Sequence, residues 1–178
     1  AMPHPNIRPV QPRRRCERSQ MRSWRERLVE HREWITSKSK EGKRAELGKC
    51  TLREKYFQGA LLRGADLRDA DLREANMQGA NLKQANLAGA NLFMAELQEA
   101  QLQRARLNNA DLKGADLSEA NLEGARMQGV KLQGAELMGT NLKGADLIDA
   151  EGLTQDKLDE AETDENTKTP LSGRWQWS

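Results

Sequence analysis

The side chains that most often do chemistry are few here and poorly placed for it. The 178 residues include two histidines, His4 and His31, and two cysteines, Cys16 and Cys50. Their spacing makes neither a zinc site nor a disulfide framework. A Ser–His or Cys–His nucleophile pair would have to draw on histidines that both lie outside the regular part of the chain. Cys50 reads as a small buried residue standing in for alanine. The 14 glycines do not gather into a phosphate-binding loop. Carboxylates are abundant, and pairs such as Asp69 and Asp71 are of the type that shares acid–base work. They recur in register, however, so they carry no catalytic signal. The expectation is a protein that is not an enzyme and has no cofactor or metal.

The register is the main signal. From Ala45 to Asp149 the chain repeats every five residues, as in Ala65-Asp66-Leu67-Arg68-Asp69 followed by Ala70-Asp71-Leu72-Arg73-Glu74. These 105 residues form 21 pentads without an insertion. The central position is Leu in 18, with Phe57, Met77 and Met127 as the others, and the first is Ala in 17. A helix would smear such leucines around its circumference, because five residues advance roughly 500°. A short extended piece followed by a bend in each pentad instead turns the first and third residues to one side. Gly, Asn and Asp tolerate the bend. The period therefore predicts a solenoid whose interior receives one small and one large side chain per pentad.

Ala80-Asn81-Leu82-Lys83-Gln84 is close to the A(D/N)LXX signature, and the 105 residues resemble the pentapeptide-repeat family. The resemblance implies an all-β solenoid, a right-handed quadrilateral β-helix with four pentads per coil. Twenty-one pentads then make about five coils, a rod of roughly 25 Å at the strand spacing of ~4.8 Å.

The flanks divide the rest. Residues 1–22 read as a basic, Pro-rich, disordered leader, 23–44 as a capping helix and linker, 45–149 as the repeat, and 150–178 as a cap helix and acidic tail. Ser23 and Glu26 form a capping box for a helix over 24–36, with Trp24, Leu28, His31 and Ile35 on the face that lids the first coil. Arg25, Arg27 and Arg32 fall on its polar side. Thr154 caps a second short helix running to Ala161, with Leu153, Leu158 and Ala161 toward the last coil. Asp164-Glu165-Asn166-Thr167-Lys168 resembles the family's closing segment, and Trp175 and Trp177 follow. Charge is unevenly spread. Residues 1–44 carry 13 Lys/Arg against 5 Asp/Glu, a net +8, and residues 150–178 carry 3 against 7, a net −4. No apolar run approaches the ~20 residues of a membrane span, and the start lacks an apolar signal core. A bacterial, cytoplasmic protein is expected.

With residues twenty apart stacked, the four walls differ. One carries Lys55 against Glu96, Glu99, Asp116, Glu119 and Glu136; its neighbour carries Arg63, Lys83, Arg104 and Lys143 against Glu123. Phe93 and Met94 point outward on a neutral wall. These residues make the candidate interaction surface, for a protein partner the sequence does not name. The resemblance also suggests a homodimer through the C-terminal coils. A DNA-imitating factor that binds gyrase or another topoisomerase is the alternative it raises, although the repeat nets only −2. Nucleic-acid or anionic-surface binding is expected only through the leader arginines, Arg13, Arg14, Arg15, Arg18 and Arg22, and their continuation in Arg25 and Arg27.

Overall fold

The computed structural model describes residues 23–38 and 43–170. Parallel bridges join residues twenty apart, starting with Glu46–Asp66 and advancing one pentad at a time to Lys131–Glu151. Four pentads thus make one turn of the solenoid. All 21 central residues are at most 2% exposed. The first-position residues share that core, apart from Lys55 and the half-buried Ala60.

The pentad closes its own backbone bonding. Asp66 N–H donates to the Ala45 carbonyl of the turn below, Leu67 N–H to the Asn86 carbonyl of the turn above, and Asp69 N–H to the Ala88 carbonyl there. Ala70 N–H turns back to the Leu67 carbonyl. Only the fourth N–H lacks a backbone partner, and the second side chain supplies one: Arg68 N–H donates to Asp66 Oδ1 at 3.2 Å. The same bond forms in all eleven pentads with Asp or Asn second. The repeat's preference for these residues is therefore an Asx-turn requirement. The fifth residue has positive φ in every pentad, which explains why ten of those positions are Gly.

Helix α1 (Trp24–Thr36) has the expected capping box: Glu26 N–H donates to Ser23 Oγ and Ser23 N–H to Glu26 Oε2 at 2.7 Å. Trp24 meets Phe57 edge-to-face at 5.4 Å between centroids, and Leu28 packs on the same core. Two details depart from the expected face. Ile35 is only half-buried and does not join that packing. Arg27 turns inward, donating from Nη1 to the Glu46 carbonyl at 2.8 Å, because the first turn of the solenoid has no turn beneath it to take that oxygen.

At the other end Thr154 caps α2 (Gln155–Glu160), and Leu153 and Leu158 are buried against the last turn. The chain then returns to the ladder through Asn141–Glu162 and Asp146–Lys168 bridges. Asp164 ends it, its carboxylate accepting from Gly144 N–H at 2.8 Å, where a further turn would have offered a carbonyl. That bond holds the Asp164 carboxyl below the usual range.

Cys50 corrects the sequence expectation. It is buried as predicted, yet it is disulfide-bonded and is not a simple alanine substitute. The only other cysteine, Cys16, lies outside the described residues. The leader arginines, Trp175 and Trp177 also lie outside the described residues.

Candidate interaction surface

The stacking of turns fixes the walls. Bridges Asn76–Glu96, Glu96–Asp116 and Asp116–Glu136 place three carboxylates in one column, one strand spacing apart. Glu96, Glu99, Glu119 and Glu136 are exposed, and Asp116 is half-buried. The carboxylates do not all have the same work. Asp116 Oδ1 accepts from Ser118 N–H at 2.9 Å and Oδ2 from Gln98 Nε2 at 2.7 Å. Burial pushes its carboxyl up, but the hydrogen bonds from Ser118 and Gln98 outweigh that and leave it below the ordinary Asp value. Glu96 receives Asn76 Nδ2 at 2.5 Å. Glu119 folds over Gly139, where a side chain would collide with its carboxylate.

The adjoining wall presents Arg63, Arg104 and Lys143 exposed and Lys83 half-buried. Arg104 lays its stem against Gly124. Lys143 Nζ pairs with Glu162 Oε2 at 2.7 Å, which raises its pKa. Phe93 and Met94 are 41% and 52% exposed. Met94 lies over Gly114, so the absence of a side chain there gives it a seat.

Sequence reasoning missed a separate apolar feature. Tyr56, Leu61 and Val29 are 83%, 39% and 61% exposed, and a cavity of about 460 Å³ opens between α1 and the first turn, lined by Leu28, Val29, Arg32, Gly59, Ala60 and Leu61. The signal was present in the repeat itself: Tyr56 and Leu61 occupy second positions, where Asp or Asn would close the turn.

His31 sits fully buried beside this groove. Its Nδ1 accepts from Ala45 N–H at 3.0 Å and its ring stacks on Trp34 at 5.5 Å. Burial lowers its pKa, the Arg63 backbone opposes that, and Arg44 lowers it further. Among the described residues no group of three or more His, Cys, Asp or Glu is arranged to hold a metal ion. No helix there is long and apolar enough to cross a membrane.

The model of the pentapeptide-repeat family matches residues 43–79, 56–93, 95–134 and 124–151, with eight copies. Similar solved structures include a pentapeptide repeat protein of the Arabidopsis thaliana thylakoid lumen, at 34% identity, covering 60% of this chain and 70% of that one, with a TM-score of 0.32. Rfr23, from the cyanobacterium Cyanothece 51142, is 36% identical over 60% of this chain and 65% of its own, with a TM-score of 0.26. Full-length QnrB1, a plasmid-mediated fluoroquinolone resistance protein, is 17% identical over 79% of this chain and 76% of its own, with a TM-score of 0.42. No curated protein matches the chain. With the family model covering more than half of its residues and its turns stacked twenty residues apart, the chain belongs to the pentapeptide-repeat family, whose members fold as right-handed quadrilateral β-helices.

Proposed function

We propose that the chain is a non-catalytic scaffold, a rod of about five coils capped by α1 and α2, that binds a protein partner through its side walls. The observation that carries this reading is the juxtaposition of an acidic and a basic wall along one edge of the rod, with Glu96, Glu136, Arg63 and Arg104 all exposed. Opposite potentials side by side orient an approaching partner and reject one of the wrong charge pattern. Phe93 and Met94 add an apolar contact of the kind that anchors an interface.

The test is capture from a native lysate by the parent protein, by Glu96→Lys/Glu136→Lys and by Lys83→Glu/Arg104→Glu, with circular dichroism confirming equal folding. Loss of the captured protein from at least one reversed wall supports the reading. An identical captured set for all three proteins refutes it. The DNA-imitating alternative rests on the acidic wall alone, and the basic wall beside it opposes docking in the basic groove of a DNA-binding protein. Inhibition of gyrase supercoiling by the parent, abolished in Glu96→Lys/Glu136→Lys, would favour it.

A further inference from the structure

We propose that the groove between α1 and the first turn receives the Trp175-Gln176-Trp177 segment of a second copy of this chain, joining molecules head to tail. The groove is mainly apolar, lined by Leu28, Val29, Ala60 and Leu61 together with Gly59 and Arg32. Its volume of about 460 Å³ lies within the ~300–1,000 Å³ typical of clefts that hold ligand groups. Trp175 and Trp177 are two residues apart, so an extended strand presents both rings on one side. They supply the large, low-entropy apolar surface that such clefts take up.

Charge points to the same pairing. Residues 1–44 carry a net +8 and residues 150–178 a net −4. Around the groove Arg25, Arg32 and Arg44 are exposed; at the far end Asp156, Asp159 and Glu160 are exposed. The two ends attract each other and repel their own kind.

The occupant comes from another molecule because the chain's own tail is too short. From the Leu61 column to Glu162 there are five bridges, about 24 Å at ~4.8 Å each. Trp175 and Trp177 lie five and seven residues beyond Pro170, at most about 17 and 24 Å when extended, so the chain's own tail cannot bring both rings to the groove. The contact is heterologous, with different patches meeting, so it does not close on itself and propagates into chains.

That property supplies the experiment. Leu61→Asp removes an exposed groove leucine and places an Asx acceptor next to Arg63 N–H, so the fold is retained. Trp175→Ala/Trp177→Ala removes the occupant. Sedimentation velocity should show the parent associating into species larger than dimers as concentration rises, less so at high salt, and each variant monomeric. An equimolar mixture of the two variants holds one intact groove and one intact tail, and should form a dimer and nothing larger. A parent that stays monomeric at its highest attainable concentration, or a mixture that stays monomeric, overturns the proposal. So does association of either variant like the parent, as a symmetric dimer through another face would show.

Discussion

Asp116 stands in the acidic column, but its structural role separates from its charge, and three substitutions show how. Replacing it with Ala removes the acceptors for Ser118 N–H and Gln98 Nε2 together. Leaving half-buried donors unpaired costs about 1–3 kcal/mol, which for a chain of this size lowers the melting temperature by roughly 2–12 °C. Asp116→Asn keeps the oxygen that Ser118 N–H needs. Its amide then faces Gln98, whose Oε1 is buried with no partner. A flip of the Gln98 amide brings that oxygen to the new donor, so the exchange leaves the bond count intact. It also removes one of three stacked carboxylates, Glu96, Asp116 and Glu136. Asp116→Asn should therefore be neutral or slightly stabilising, within about 0.5 kcal/mol. Glu136→Ala, at an exposed position, should be similarly silent.

The assay is thermal unfolding by circular dichroism, repeated across acid pH. The Asp116 carboxyl titrates below the ordinary Asp value in the folded protein. Its contribution is therefore present above that value and lost as pH falls through the lowered one. The parent should lose this increment on acidification, and Asp116→Asn should not. If Asp116→Asn destabilises as much as Asp116→Ala at neutral pH, the charge and not the acceptor is what the fold uses, and the turn argument fails.

Two further outcomes follow from the ends of the rod. Gly59→Ala and Gly152→Ala both force a side chain onto positive φ, +63° and +75°, a cost of about 1–2 kcal/mol each; only at Gly152 does the new Cβ also meet backbone, 2.5 Å from Gln133 N, so denaturant unfolding should rank Gly152→Ala clearly below Gly59→Ala. His31, whose pKa is lowered chiefly by burial, stabilises the α1 contact above its unfolded pKa of about 6.5, and that stability is lost as pH falls through its lower folded value; tryptophan fluorescence from Trp24 and Trp34 should change in that window, and an unchanged signal down to the carboxylate range would refute it.

The repeat made most of the architecture legible in advance. A five-residue period admits neither a helix nor a plain strand, and the alternation of Ala and Leu marked the core at positions such as Ala80 and Leu82, both fully buried. The capping box was visible because Ser23 with Glu26 is a local signal. Less of the surface was legible. Column order followed from assuming twenty residues per turn, and the bridges have that spacing. What the side chains do within a column did not: Asp116 and Glu136 look alike in sequence, yet one closes a turn and the other stands exposed. Arg27 was misplaced for a similar reason, since only tertiary contact reveals that the Glu46 carbonyl needs a donor. The groove beside α1 left only a partial trace in the repeat, Tyr56 and Leu61 at second positions, because its other side is built by Leu28, Val29 and Arg32 of a helix that precedes the period.

The hydrogen-bond ladder itself indicates where this chain has been shaped by something other than folding. Each pentad with Asp or Asn second satisfies its fourth N–H internally, a bond worth about 1 kcal/mol. Pentads that place another residue there forgo it. Four of the ten exceptions are Leu61, which lines the groove, Tyr56 one pentad before it, and Glu96 and Glu136 on the acidic wall. Folding alone offers no reason to prefer an exposed Tyr or Leu over Asn at these positions, and local rules are broken most often where function makes its own demand. The test is direct. Leu61→Asn, Tyr56→Asn, Glu96→Asn and Glu136→Asn should each hold or raise the melting temperature, while the first two weaken self-association and the last two weaken capture of a protein partner. Four variants that are more stable and bind unchanged would show the exceptions to be neutral drift within the repeat.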